Sequence, residues 1–116
     1  MNTLFNINTT PEAGQFLVTI NKDSHIFEGH FPGNPVVPGV MSIYLIRKCA
    51  GIMLNRSFEK FCAIKEVRYL NPMKSETSPI IVLISASDSD SEQIVITAEI
   101  TDKDGVQLVK LKGTLC

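Results

Sequence analysis

The sequence predicts an α+β fold, with one long buried helix wrapped by a curved antiparallel sheet. Three observations predict it. A single apolar run of helix length, from about Val40 to Asn55, follows Pro38-Gly39, which reads as a helix start. Its apolar residues pass all the way round, from Met41, Ile43 and Tyr44 through Cys49 and Ala50 to Met53 and Leu54, interrupted by Ser42, Arg47 and Lys48. A helix apolar on every face is buried. The remaining apolar residues fall in short extended segments separated by turn signals, which is a strand pattern. The dimensions agree, because a helix of this length is on the order of 24 Å long and five strands at about 4.8 Å spacing are equally wide.

Taken in order, Leu4, Phe5 and Ile7 predict a short edge strand, and Thr9 to Gly14 a turn. Gln15 to Asn21 is a strand, rich in β-branched and aromatic residues. Lys22-Asp23-Ser24 breaks it, and His25-Ile26-Phe27 leads into a loop dense in proline and glycine. After the helix, Asn55 to Lys60 is a polar connector. Cys62 to Leu70 alternates, with Ile64, Val67 and Tyr69 set against Lys65, Glu66 and Arg68. Asn71 to Thr77 is a turn or bulge. Pro79 to Ala86 is a strand whose unbroken apolar run implies burial on both faces or a subunit contact. Ser87 to Ser91 is a turn, Glu92 to Thr101 a strand, and Asp104-Gly105 a hairpin turn into the last strand, Val106 to Leu115. Hairpins make the late strands antiparallel. A sheet curled around one helix keeps a free edge, and a free edge invites a second copy. At 116 residues the chain is read as one domain, 1–116.

Composition narrows the function. The net charge of −1 and the lack of a basic stripe exclude a nucleic-acid binder. The helix is too short for a membrane span, and the N-terminus has neither the charged nor the apolar part of a signal peptide, so a cytoplasmic protein is expected. Cys49, Cys62 and Cys116 lack metal-ligand spacing and read as buried small hydrophobes in a reducing compartment. The acidic stretch Ser87 to Ser91 lacks the glycine and terminal glutamate of a calcium loop. No metal and no cofactor is expected.

The segment before the helix is the most informative. Phe27 to Gly39 holds three prolines, three glycines and His30. Proline fixes φ and restricts the residue before it, so this is a loop with little freedom. Phe27-Glu28-Gly29-His30-Phe31-Pro32-Gly33-Asn34-Pro35-Val36-Val37-Pro38-Gly39-Val40-Met41 resembles the active-site signature of β-hydroxyacyl-ACP dehydratases, the FabZ/FabA-like hot-dog-fold enzymes of fatty-acid synthesis. Ile64 to Met73 is similar to the strand that follows the helix in that family, where a phenylalanine stands at the place of Tyr69. The resemblance implies a hot-dog fold, an acyl carrier protein or CoA thioester as substrate partner, and a dimer with its sites at the subunit interface. A higher oligomer and a heterodimer with another hot-dog chain stay open.

Dehydration of a 3-hydroxyacyl thioester needs a base, a donor for the charge that builds on the thioester oxygen, and an acid for the leaving hydroxyl. His30 is the candidate base, since imidazole titrates near neutral pH. The amides of Gly39 and Val40 open the helix at the positive end of its dipole and are candidate oxyanion donors, with Phe31 as a neighbouring substrate contact. Gly39 lets a substrate approach closely because it has no side chain. The family carries an Asp or Glu on the helix 14 residues after the histidine, and here that position is Tyr44. A phenol donates a hydrogen bond but is a poor anion at neutral pH. Tyr44 is therefore either a substitute acid or a wall residue, and Glu28 is a third option. Arg68 and Lys74 are candidates for contact with an acidic carrier, set against a solvated strand face.

Three functions compete on this reading. The first is a (3R)-hydroxyacyl-thioester dehydratase. The second is a non-catalytic carrier-binding or partner subunit that lacks the helix carboxylate. A hot-dog thioesterase ranks below both, because it too calls for that carboxylate.

Overall fold

The computed structural model describes residues 4–27, 36–87 and 93–116. Among these, six strands and one α-helix follow the expected order: β1 (Phe5–Thr9), β2 (Gln15–Ile20), α1 (Gly39–Leu54), β3 (Phe61–Tyr69), β4 (Ile80–Ser87), β5 (Ile94–Asp102) and β6 (Gln107–Leu115). They form one antiparallel sheet in the order β1-β2-β4-β5-β6-β3, with α1 packed against it. This is the hot-dog arrangement. The expected turn at Ser87 to Ser91 lies, from Asp88 onward, outside the described residues.

The turns are built as their residue types require. Between β1 and β2, the Thr10 hydroxyl accepts the Glu12 N–H at 3.2 Å and donates to the Gln15 carbonyl at 3.1 Å. Between β5 and β6, one Asp102 carboxylate oxygen accepts the N–H groups of Asp104 (2.8 Å) and Val106 (3.0 Å), while Gly105 takes φ 87°. That positive φ is why glycine follows aspartate there. Helix α1 ends on Asn55 in the left-handed region (φ 53°), with Arg56 N–H reaching the Gly51 carbonyl at 3.0 Å. This closing bond satisfies a carbonyl that the helix itself leaves unpaired.

The core lies between α1 and the concave face of the sheet. Leu45, Ile46, Cys49 and Ala50 from the helix meet Val18, Ile80, Val82, Ile96, Ile100 and Leu115 from the strands, all fully buried. Burying a valine, leucine or isoleucine side chain contributes about 1.5–3 kcal/mol. Three expectations are corrected. Helix α1 is not buried on every side: Val40 (68% exposed), Tyr44, Lys48 and Ile52 form an open stripe at four-residue spacing. One sheet covers one side of a helix, and the apolar residues opposite face nothing in the described part of this chain. Within this chain strand β4 is not buried on both faces, for Ile80, Val82 and Ile84 point inward while Leu83 is 40% exposed, and the outer face is left for the subunit contact that was the other expectation. And β3 does not alternate: Cys62 to Glu66 are five exposed residues in a row. Side chains of a strand point alternately to its two faces, so neither face of that stretch is covered.

The cysteines also depart from expectation. Cys49 is buried as a small hydrophobe, and desolvation pushes its thiol up to about 12. Cys62, however, lies exposed on β3 and is joined to Cys116 in a disulfide, with Cα atoms 5.7 Å apart. The connector after the helix hides Phe58, 3% exposed, although its composition reads as polar.

Candidate functional site

The entrance of α1 is held by backbone bonds from a distant part of the chain. Val37 N–H donates to the Met73 carbonyl at 2.7 Å, and Val36 bridges Lys74. At its start, Met41 N–H donates to the carbonyl of the capping residue Pro38 at 2.9 Å. The amides of Gly39 and Val40 precede it and have no acceptor within the helix. Pro38 fits this place because it has no N–H to lose.

Beside this entrance lies a pocket of about 380 Å³. Val37, Gly39, Ser42, Tyr69, Met73 and Val109 line it. Gly39 and Ser42 are three residues apart and so share a helix face. Ser42 is 2% exposed, one of two buried polar residues among those described. A small apolar chamber with a few polar groups at one end has the character of a ligand site.

Glycine at position 39 has a structural reason beside the expected one. A Cβ there would lie 2.8 Å from Tyr69 Cζ and 2.9 Å from both its Cε1 and its hydroxyl oxygen. The missing side chain makes room for the Tyr69 ring. Tyr69 was legible only as one residue of a strand alternation, and its place over the helix entrance has no local signature.

The remaining candidates separate. His30 and Phe31, with Glu28, lie outside the described residues. Tyr44 sits five residues beyond Gly39, about 140° round the helix, on the open stripe and away from the pocket lining. Its ring lies under Arg47 and Lys48, with the cationic atoms 5.4 and 5.6 Å from the centroid. The Val40 side chain is on the same open stripe, so only its amide belongs to the entrance. Arg68 and Lys74 lie in different parts of the structure. Arg68 pairs with Glu66 on the outer sheet face, beside Lys110 and Lys112 in a separate depression of about 690 Å³. Both partners are well exposed, and a pair of that kind contributes little. Lys74 is half-buried in the segment that clamps the helix entrance. Among the described residues no group of His, Cys, Asp and Glu side chains could hold a metal ion. No described helix is long and apolar enough to cross a membrane.

Comparison with known proteins gives this fold and pocket a family. The sequence model of the ApeI-like family, described as ApeI dehydratase, matches residues 6–109. The chain is 38% identical over 65 residues to the 3-hydroxyacyl-acyl-carrier-protein dehydratase FabZ of Fusobacterium nucleatum, covering 53% of this chain and 45% of that protein. It is 46% identical over 57 residues to the FabZ of Lactiplantibacillus plantarum, covering 49% of this chain and 35% of that protein. The chain thus spans less than half the length of these two curated relatives. Among solved structures it is similar to a chain of the dehydratase heterocomplex ApeI:P from Xenorhabdus doucetiae, with TM-score 0.67, 20% identity, and coverage of 93% of this chain and 92% of that one. A hypothetical thioesterase protein with coenzyme A from Streptococcus pneumoniae superposes with TM-score 0.65 at 16% identity, covering 96% of this chain and 83% of that one. At such identities the structural likenesses carry the fold alone, whereas the family match runs through the helix, the entrance clamp and most of the sheet: the chain belongs to the FabZ/ApeI-like β-hydroxyacyl-ACP dehydratase family.

Proposed function

We propose that this chain dehydrates a 3-hydroxyacyl thioester carried on a pantetheine arm, of acyl carrier protein or of CoA, as one 1–116 hot-dog domain within a pair of such domains. The observation that carries the reading is the pocket at the helix entrance, where amides with no acceptor within the helix meet apolar walls. His30 takes the proton next to the thioester carbonyl. The electron pair left behind forms the new carbon–carbon double bond, and the hydroxyl departs from the adjacent carbon, taking up a proton to leave as water. The amides of Gly39 and Val40 donate to the thioester oxygen while it carries negative charge. Phe31 contacts the acyl chain. Tyr44 faces away from its own pocket, so it acts in the partner's pocket or not at all. Lys74, close to the entrance, meets the carrier, and Arg68 lies on a separate face. Cytoplasmic residence suits this chemistry, and the Cys62–Cys116 pair tests it, because disulfides persist mainly in oxidising compartments.

The deciding experiment measures formation of enoyl thioester from 3-hydroxybutyryl-pantetheine by the wild type, His30→Ala and Tyr44→Glu. The expected result is turnover by the wild type and loss of about 1,000-fold in His30→Ala, within the range of general base catalysis. Undiminished activity of His30→Ala removes the base assignment.

A second reading has its own support. The open stripe of α1 carries no carboxylate, only Val40, Tyr44, Lys48 and Ile52, and one similar fold belongs to a dehydratase heterocomplex. On this reading a second hot-dog chain lies over the stripe and supplies the acid. An inactive wild type that gains activity as Tyr44→Glu, or on addition of such a chain, favours it.

A further inference from the structure

We infer that Tyr69 is a catalytic residue, its hydroxyl donating a hydrogen bond to the thioester oxygen beside the Gly39 amide. The inference rests on the dehydratase reading above, and it names a donor from outside the helix.

The geometry is specific. Tyr69 is the last residue of β3, and its ring lies across the first turn of α1, against Gly39. The hydroxyl oxygen is 2.9 Å from the point a Gly39 Cβ would occupy. That point is about 2.5 Å from the Gly39 nitrogen by standard bond geometry, so hydroxyl and amide are no more than about 5.5 Å apart. Two donors at that separation both reach one acceptor placed about 2.9 Å from each. Both line the same chamber, together with Ser42.

The ring and its hydroxyl do different things. Ring carbons make the two closest contacts with the Gly39 position, and phenylalanine meets that packing equally well. The hydroxyl adds a donor beside the Gly39 amide, which has no acceptor within the helix. The hydroxyl serves there as a hydrogen-bond donor. Tyr69 is 52% exposed in the single chain, so a substrate reaches it without unfolding the wall.

The variant is Tyr69→Phe, which keeps the ring and hence the fold, checked by an unchanged melting temperature. Two readouts follow: kcat and KM with 3-hydroxybutyryl-pantetheine, and the infrared carbonyl stretch of bound, isotopically labelled butyryl-pantetheine, which cannot be dehydrated. The expected result is a fall in kcat of about 100-fold, as for loss of one oxyanion donor, with KM little changed and the carbonyl stretch moved to higher frequency. Equal kcat and equal stretch in an active enzyme overturn the role of Tyr69 and leave the dehydratase reading standing. If the wild type binds butyryl-pantetheine with a polarised carbonyl that Tyr69→Phe relaxes, yet turns nothing over, Tyr69 stands as a donor and the reaction falls. Failure of the wild type to bind butyryl-pantetheine overturns both.

Discussion

The two sides of α1 are both largely apolar in sequence and opposite in circumstance. Leu45, Ile46, Cys49 and Ala50 are fully enclosed by the sheet, while Val40, Tyr44 and Ile52 stand open. Strand β3 continues the contrast, with Cys62 to Glu66 exposed on both faces whereas β4 buries every second residue from Ile80 to Ile84. The closed half is completed by the chain itself. The open half holds apolar surface of the same kind, arranged along one helix face and one sheet edge, with nothing among the described residues to cover it. Hydrophobic periodicity thus marks apolar faces and is silent about whose surface covers them.

Substitutions in the two halves should behave differently. Leu45→Ala removes a fully buried side chain and should cost about 2–5 kcal/mol, read as a lower midpoint in urea unfolding. A loss below about 1 kcal/mol would mean that the closed half is not the core. Next comes the tether on the open strand. Cys62→Ser opens a disulfide spanning 54 residues, and the expected loss is about 2–4 kcal/mol. Mass spectrometry without reductant should find two hydrogens fewer than in the reduced wild type, and finding equal masses would show the tether unformed.

In the open half, Ile52→Asp should change the stability of the single chain by about 0.5 kcal/mol or less. It should nevertheless shift the sedimentation coefficient from a pair to a monomer. A variant that sediments as the wild type does would mean the stripe is left bare. The smallest effect belongs to Cys49. With its thiol pushed up to about 12 by burial, it should resist iodoacetamide at about pH 8 in the folded protein and react once unfolded. The sign of the linked stability follows: the folded form keeps the proton that the unfolded form gives up, so stability falls as pH rises from about 9 toward 12.

The sequence made much of this plain, and its silences have physical causes. Strand order along the chain, the hairpin at Asp104-Gly105 and the helix span all follow from local signals, namely period, turn chemistry and proline. The entrance clamp does not, because Val37 meets Met73 only through tertiary folding. Gly39 was legible as a site residue, but the side chain that requires it there, Tyr69, lies thirty residues away along the chain. Cys62 and Cys116 meet for a similar reason, since β3 pairs with β6 rather than with its neighbour in sequence. The reading of Tyr44 rested on its distance from His30 along the chain, whereas its place on the helix surface depends on what the sheet covers.

The two backbone links from Val36 and Val37 to Met73 and Lys74 have a further consequence. They fasten the chamber wall to the ribbon that runs on directly from β3, the strand most open to a neighbour. Anything that grips that rim pulls on the mouth of the chamber through a few covalent bonds. On the proposed pairing, a protomer separated from its companion should therefore lose the shape of this pocket before it loses its fold.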